Sequence, residues 1–241
     1  MIKAILFDLD DTLLGNKMDS FLPQYFRLLG QHAAALLDKE HFLQHMLLGT
    51  RTMIANTDPT RTNREVFWQA FQQGTGLDPA VVEPHFDLFY HEQFPTLQSV
   101  TEPMPGAVDL VQWAFAQGLQ VVVATNPLFP RRAIEERLRW ANLPPSEYPF
   151  ALVTSYELMH ATKPNQAYYQ EILAHIGCQA EQALMVGDDW QNDMVPALAL
   201  GMPSFWLTDG SAEVGDTSQV TGYGSLGDLA ARLQAGWLQE I

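Results

Sequence analysis

Four short segments set the fold. Residues 2–7 ("IKAILF"), 119–125 ("LQVVVAT"), 183–187 ("ALMVG") and 203–207 ("PSFWL") are apolar at nearly every position rather than at every second one. A strand with one face in water alternates apolar and polar side chains. A run without alternation belongs to a sheet covered on both faces, which in practice means parallel strands joined by helices. A weaker fifth run is "FALVTS", 150–155. Between the runs lie helical patterns with recognisable ends. Residues 106–117 stop at Gly118, 130–142 open with a proline, 165–176 end at Gly177, and 191–200 end at Gly201. The order of elements implies a doubly wound, Rossmann-like α/β domain with right-handed crossovers.

The stretch 17–100 breaks that rhythm. It carries the amphipathic helical patterns "SFLPQYFRLLGQHAAALL", "DKEHFLQHMLL", "NREVFWQAFQQGTG" and "DPAVVEPHFDLFYHEQF", separated by Gly, Pro or Asp-Pro signals. This is too long for a simple crossover and is expected to be an inserted all-helical domain. The chain then divides into a core, 1–16 and 101–241, and an insert, 17–100. The two prolines of "TEPMPGA", 101–107, suit a linker or hinge. The Gly/Ser/Asp-rich part of 209–227 reads as a loop. The full 241 residues suffice for one domain with such an insertion.

Composition narrows the partners. The net charge is −15, from 13 basic and 28 acidic side chains. That argues against nucleic acid, which is held by Lys and Arg on phosphates, and against an anionic membrane surface. A small phosphorylated substrate remains open, because a metal ion reverses the local sign. Cys178 is the only cysteine, so neither an internal disulfide nor a thiolate zinc site is available. No apolar run approaches the ~18 residues of a membrane span. The first apolar run is interrupted by Asp8 and Asp10, unlike a secretory signal. A cytoplasmic protein is the expectation.

The apolar runs end in polar clusters: "DLDDT" after the first, "TNP" after the second, "GDDWQND" after the third. In open parallel sheets, ligands bind beyond the carboxyl ends of the strands. The topology should therefore gather Asp8, Asp10, Thr125, Asn126, Asp188, Asp189 and Asp193 at one edge, with Lys163 of "ATKPN" in reach. Carboxylates crowded together repel and take up protons unless a cation joins them. A hard ion such as Mg²⁺ needs only two carboxylates and a carbonyl besides water. With a lysine, a hydroxyl and an amide alongside, the set becomes a phosphate cradle. A free carboxylate there can attack phosphorus, and a second acid two residues on can move protons for the leaving oxygen and for water.

On these motifs the chain resembles the haloacid dehalogenase-like hydrolase superfamily. "FDLDDTL" (7–13), "ATN" (124–126), "KP" (163–164) and "VGDDWQND" (186–193) are similar to its four motifs, and "MVPALALGMPSFWL" is similar to the segment after the fourth. The resemblance covers 1–15 and about 103–240. It implies that Asp8 is the nucleophile. Asp10 is the general acid/base and contributes a backbone carbonyl to the metal. Thr125 and Asn126 bind the phosphoryl group, and Lys163 neutralises charge between nucleophile and phosphate. Asp188 ligates Mg²⁺, and Asp193 ligates it through water or orients Lys163. Asp8, Asp10, Asp188 and Asp193 form the implied metal set. Asp11 and Asp189 are read as turn or capping residues. The insert 17–100 takes the place of the family's helical cap, a lid over a small substrate.

The implied activity is a Mg²⁺-dependent phosphatase for a small phosphorylated metabolite, working through an aspartyl phosphate. A phosphomutase shares every motif. A haloacid dehalogenase is disfavoured, since those members lack the acid at the place of Asp10. A non-catalytic phospho-ligand module has no reason to keep Asp8, Asp10, Lys163 and Asp188 together. Arg51, Arg61 and Arg64, with His41, His45, His85 and His91, lie where they could face a leaving group, although a half-buried helix face also accounts for the histidines. Phe67, Trp68, Phe71, Phe86, Phe89 and Tyr90 are expected to form the core of the insert. Substrate identity and monomer or homodimer state are not specified by the sequence.

Overall fold

The computed structural model describes residues 1–16, 18–208 and 215–241. Strand β1, Ala4–Phe7, is central and buried throughout. A two-residue strand β2, Leu14–Gly15, follows. Four helices come next: α1, Met18–Ala33; α2, Lys39–Ile54; α3, Asn63–Thr75; and α4, Pro79–Glu92. The remaining chain alternates: β3, Glu102–Pro103; α5, Ala107–Ala116; β4, Gln120–Val123; α6, Arg131–Trp140; β5, Leu152–Val153; α7, Gln166–Ile176; β6, Ala183–Gly187; α8, Val195–Ala199; β7, Ser204–Leu207; β8, Gly222–Gly224; and α9, Leu226–Gln234.

Six strands form one parallel sheet in the order β5-β4-β1-β6-β7-β8. The unbroken apolar runs are explained by what covers its two faces. Ile5 and Phe7 enter one hydrophobic cluster with Val121, Val123, Leu184 and Val186. Ala4 and Leu6 enter the other with Val122, Ala183 and Met185. Successive side chains point to opposite faces, and both faces are dry. The α/β, doubly wound expectation therefore holds.

The helices α1–α4 share the first cluster, where Phe21, Phe42, Phe71 and Phe89 are fully buried. Their ends follow the sequence signals. Thr62 and Glu65 close a reciprocal capping box on α3, and Gly76, with φ 73°, ends it. Asp38 and Asp78 cap α2 and α4.

Three details differ from expectation. The proline-bearing segment at 101–107 is not a bare linker, because β3 pairs antiparallel with β2 and ties the two crossing chains together. The helix expected over 191–200 is an α-helix only from Val195; Trp190–Met194 winds more widely, into a π-turn capped by Asp189. Part of the loop expected over 209–227 is ordered structure, since Gly222–Gly224 is the sheet's edge strand and Ser225 caps α9; residues 209–214 lie outside the described residues.

Candidate active site

Strand β1 delivers the first acids. The Asp8 amide donates to the Val186 carbonyl at 2.9 Å, so Asp8 still belongs to the sheet's pairing with β6. Beyond it the chain folds back sharply. Leu13 and Leu14 both donate their amides to the Leu9 carbonyl, at 2.9 and 2.8 Å. Asp11 sits at the turn with φ 53°, and its carboxylate accepts the Asn16 amide at 2.9 Å. Asp11 is thus a turn residue, as its place in the sequence suggested.

The centre of the site is one buried lysine between two buried acids. Lys163 Nζ donates to Asp8 Oδ1 and to Asp193 Oδ1, both at 2.6 Å. Lys163 is 3% exposed and Asp193 fully buried. Asp193 approaches because residue 187 is glycine: a Cβ there would stand 2.1 Å from Asp193 Oδ2. Burial opposes the lysine's charge, but Asp193 and Asp8 outweigh it and hold the ammonium well above its ordinary pKa. Burial raises Asp8 well above the carboxylate range, against the pull of Lys163, with Asp193, Asp10 and Asp188 pushing the same way as burial. Burial also raises Asp193, against Lys163. Half-buried Asp188 is pushed up to about 7 by burial and then by Asp193 and Asp11. Its Oδ1 lies 3.4 Å from the Thr12 hydroxyl.

Asp10 is held on the other side. Arg137 Nη1 reaches both of its oxygens, at 2.8 and 2.7 Å, and Asn16 Nδ2 donates to Oδ1 at 2.8 Å. The Arg137 side chain is 1% exposed. Its guanidinium lies 4.9 Å from the centre of the Phe129 ring, while its Nε and Nη2 are buried with no hydrogen-bond partner among the described residues. Neither Arg137 nor Asn16 was picked out from the sequence. A signal for Arg137 existed: it falls at helical spacing with Ala133, Ile134 and Ala141, on the face of α6 that the core requires.

Asp8, Asp10, Thr125, Asn126, Lys163, Asp188 and Asp193 all line one cavity of about 430 Å³ at the carboxyl ends of β1, β4 and β6. The structure therefore brings together every candidate site residue of the motifs. The Thr125 carbonyl is fixed by the Thr154 and Tyr168 hydroxyls at 2.7 and 2.8 Å. The Asn126 side-chain oxygen is buried with no hydrogen-bond partner among the described residues. Asp189 accepts the Gln191 and Asn192 amides at 2.9 and 3.0 Å, the work of a cap.

The arginines of the insert do not reach this cavity. Arg64 pairs with Glu83, Arg61 donates to the Glu65 carbonyl at 3.2 Å, and Arg51 is exposed. The rings of His41 and His45 meet at a tilt with centres 4.6 Å apart, His85 contacts His32, and His91 contacts Arg132. The group of described residues able to hold a metal is Asp8, Asp188 and Asp193, whose ligand atoms lie within 4.8 Å of one another.

The carboxylate–lysine–carboxylate centre thus lies where open parallel sheets bind their ligands, beyond the carboxyl ends of the strands. The family model of haloacid dehalogenase-like hydrolases matches residues 2–201, and the chain belongs to that family. It is 26% identical to a phosphoglycolate phosphatase of Rhodospirillum rubrum, over 98% of this chain and 94% of that one. It is also 26% identical to phosphoglycolate phosphatase 1 of Pseudomonas aeruginosa, over 86% of this chain and 70% of that one. A phosphatase structure from Thermococcus onnurineus shares the fold with a TM-score of 0.58 at 20% identity, covering 96% and 98% of the two chains. Among the described residues no helix is long and apolar enough to cross a membrane.

Proposed function

We propose that the chain is a Mg²⁺-dependent phosphatase that hydrolyses a small phosphorylated metabolite through a phosphorylated Asp8. The observation that carries this reading is Lys163 Nζ clamped at 2.6 Å between Asp8 and Asp193. The clamp fixes Asp8 Oδ1 and leaves Oδ2 as the nucleophile. Oδ2 attacks phosphorus, and the bond from phosphorus to the ester oxygen breaks. Asp10 gives the departing oxygen a proton; since Nη1 of Arg137 touches both of its oxygens, one must turn away to do so. Asp10 then takes a proton from water, which attacks phosphorus, breaks the bond to Asp8 and releases inorganic phosphate. Thr125 and Asn126 face the phosphoryl oxygens. Helices α1–α4 form the cap that excludes bulk water.

The residues fit a divalent cation. Asp8 and Asp193 share a single ammonium, and burial, followed by the nearby charges of Asp193 and Asp11, pushes Asp188 up to about 7, a cost that a cation at its carboxylate would offset. Hard oxygen donors suit Mg²⁺. Asp8, Asp188 and the Asp10 carbonyl would hold it. Asp193 accepts from Lys163 on one oxygen and from the Asp189 amide on the other, which favours its orienting role. When bound, the ion draws charge from the phosphoryl oxygens. The relatives' names support phosphate-ester chemistry, and the presence of Asp10 weighs against dehalogenation.

The test is phosphate release from a panel of phosphate esters with Mg²⁺ or with EDTA, for the wild type and for Asp8→Asn. Turnover should need the metal and fall by about a thousandfold or more in the variant. Undiminished activity in Asp8→Asn would overturn the mechanism.

A further inference from the structure

A second cavity, of about 280 Å³, lies among α1–α4 and the loop before α6. It shares Leu22, Leu128 and Phe129 with the catalytic cavity. Its other walls are mainly aromatic and aliphatic, including Phe26, Met46, Phe67 and Trp68. The polar groups on these walls are largely spoken for. Trp68 Nε1 donates to the Tyr156 hydroxyl at 3.3 Å, that hydroxyl donates to Glu83 Oε1 at 3.3 Å, and Arg64 closes the chain on Glu83. The Tyr25 and Tyr90 hydroxyls pair with each other at 2.8 Å. Among the described residues, the charged groups on the wall are the carboxylates of Glu83 and Asp87, and no cation stands on it. Apolar cavities whose polar groups are already paired receive apolar matter; one of about 150 Å³ admits benzene.

We infer that this cavity receives the leaving group of the substrate, and that the substrate is a phosphate ester of an uncharged, apolar alcohol of about one aromatic ring. The inference rests on the phosphatase reading and adds its substrate class. To a carboxylate-bearing leaving group, as in 2-phosphoglycolate, the described lining offers no cation: Glu83 is already paired with Arg64, and the other charged group is Asp87. Among the described residues, the cations of the catalytic cavity, Lys163 and Arg137, are both already paired to acids.

The experiment compares three alkyl esters on the full chain with Mg²⁺: benzyl phosphate, glycerol 3-phosphate and 2-phosphoglycolate. Benzyl phosphate should lead in kcat/KM by about ten- to a hundredfold, the worth of burying one ring. Thr50→Phe places bulk on the cavity wall and should cut the benzyl-to-glycerol selectivity ratio by about tenfold. Met46→Ala enlarges the same cavity and should shift preference toward naphthylmethyl phosphate. Binding gives an independent readout. Trp68 fluorescence, with Trp68→Phe as its control, should report 2-phenylethylphosphonate binding about tenfold tighter than methylphosphonate. If no ester turns over with metal but the phenylethyl compound still binds tighter, the phosphatase reading fails and the apolar site stands. If esters turn over and 2-phosphoglycolate leads, or the two phosphonates bind equally, the apolar leaving group is refuted and the phosphatase reading stands.

Discussion

Replacing Arg137 by methionine separates the positioning of Asp10 from the rest of the site. The pair is buried unevenly, with 1% exposure for the arginine side chain and 20% for the aspartate. Breaking a fully buried ion pair from one side costs about 3–5 kcal/mol, because the surviving charge is stranded. Two features lower that here. Asp10 borders the catalytic cavity and keeps Asn16 as a donor, and the substitution also removes the unpartnered Nε and Nη2. Methionine preserves most of the contact with Phe129. The expected loss is about 2–3 kcal/mol, or about 4–12 °C in Tm for a chain of this size. Activity should suffer more: a carboxylate displaced by about 1 Å costs on the order of a hundredfold in kcat, with KM changed far less. Because Nη1 alone reaches both oxygens, Arg137→Lys keeps one cationic donor and should restore part of kcat. Urea denaturation and steady-state kinetics on wild type, Arg137→Met, Arg137→Lys and Asp10→Asn are the assay, and the double variant should lose less than the sum of the singles. A folded Arg137→Met with wild-type kcat would refute the positioning role.

Two further outcomes follow from the geometry. Gly187→Ala would put a methyl 2.1 Å from Asp193 Oδ2; the carboxylate must move off Lys163, and kcat should fall by about tenfold or more with the sheet intact by circular dichroism. In EDTA, folded Asp188 keeps a proton up to about pH 7 that the unfolded chain releases near pH 4. The native state therefore binds more protons in that window, and its stability falls as pH rises through it. Urea midpoints should drop between about pH 4 and 7 without metal and hold level with Mg²⁺; a flat profile in EDTA would contradict the raised pKa of Asp188.

What the sequence revealed and what it hid have physical reasons. The strands at 2–7, 119–125, 183–187 and 203–207 were legible because both faces of the sheet are covered and every position reports burial. β8 was not, because Gly-Tyr-Gly has the composition of a loop. It is an edge strand, and Gly222 is small because a Cβ there would lie 2.9 Å from the Phe205 ring. The acids were legible because they follow strands directly. Arg137 was hidden because an arginine within a charged helical sequence looks solvated. Only the apolar positions around it in the helical period place it inside, and its partner lies 127 residues away. Asn16, next to the insert, looked like a boundary residue while being a ligand of Asp10 and Asp11.

Phe129 shows how the chemistry of the sheet edge and the selectivity of the helices meet. It lines both cavities. Its ring supports the guanidinium that holds Asp10, and it packs edge-on against Tyr25 of α1 with ring centres 5.4 Å apart. An occupant of the apolar cavity shares a wall with the group that orients the proton-transfer acid. A substitution at Phe129 therefore perturbs ester preference and kcat together. Thr50, on α2, lines the apolar cavity but not the catalytic one, and a substitution there acts on preference through volume alone. The two positions resolve whether the helices merely cover the site or select what enters it, because only selection makes the Thr50 variant change the ratio between esters.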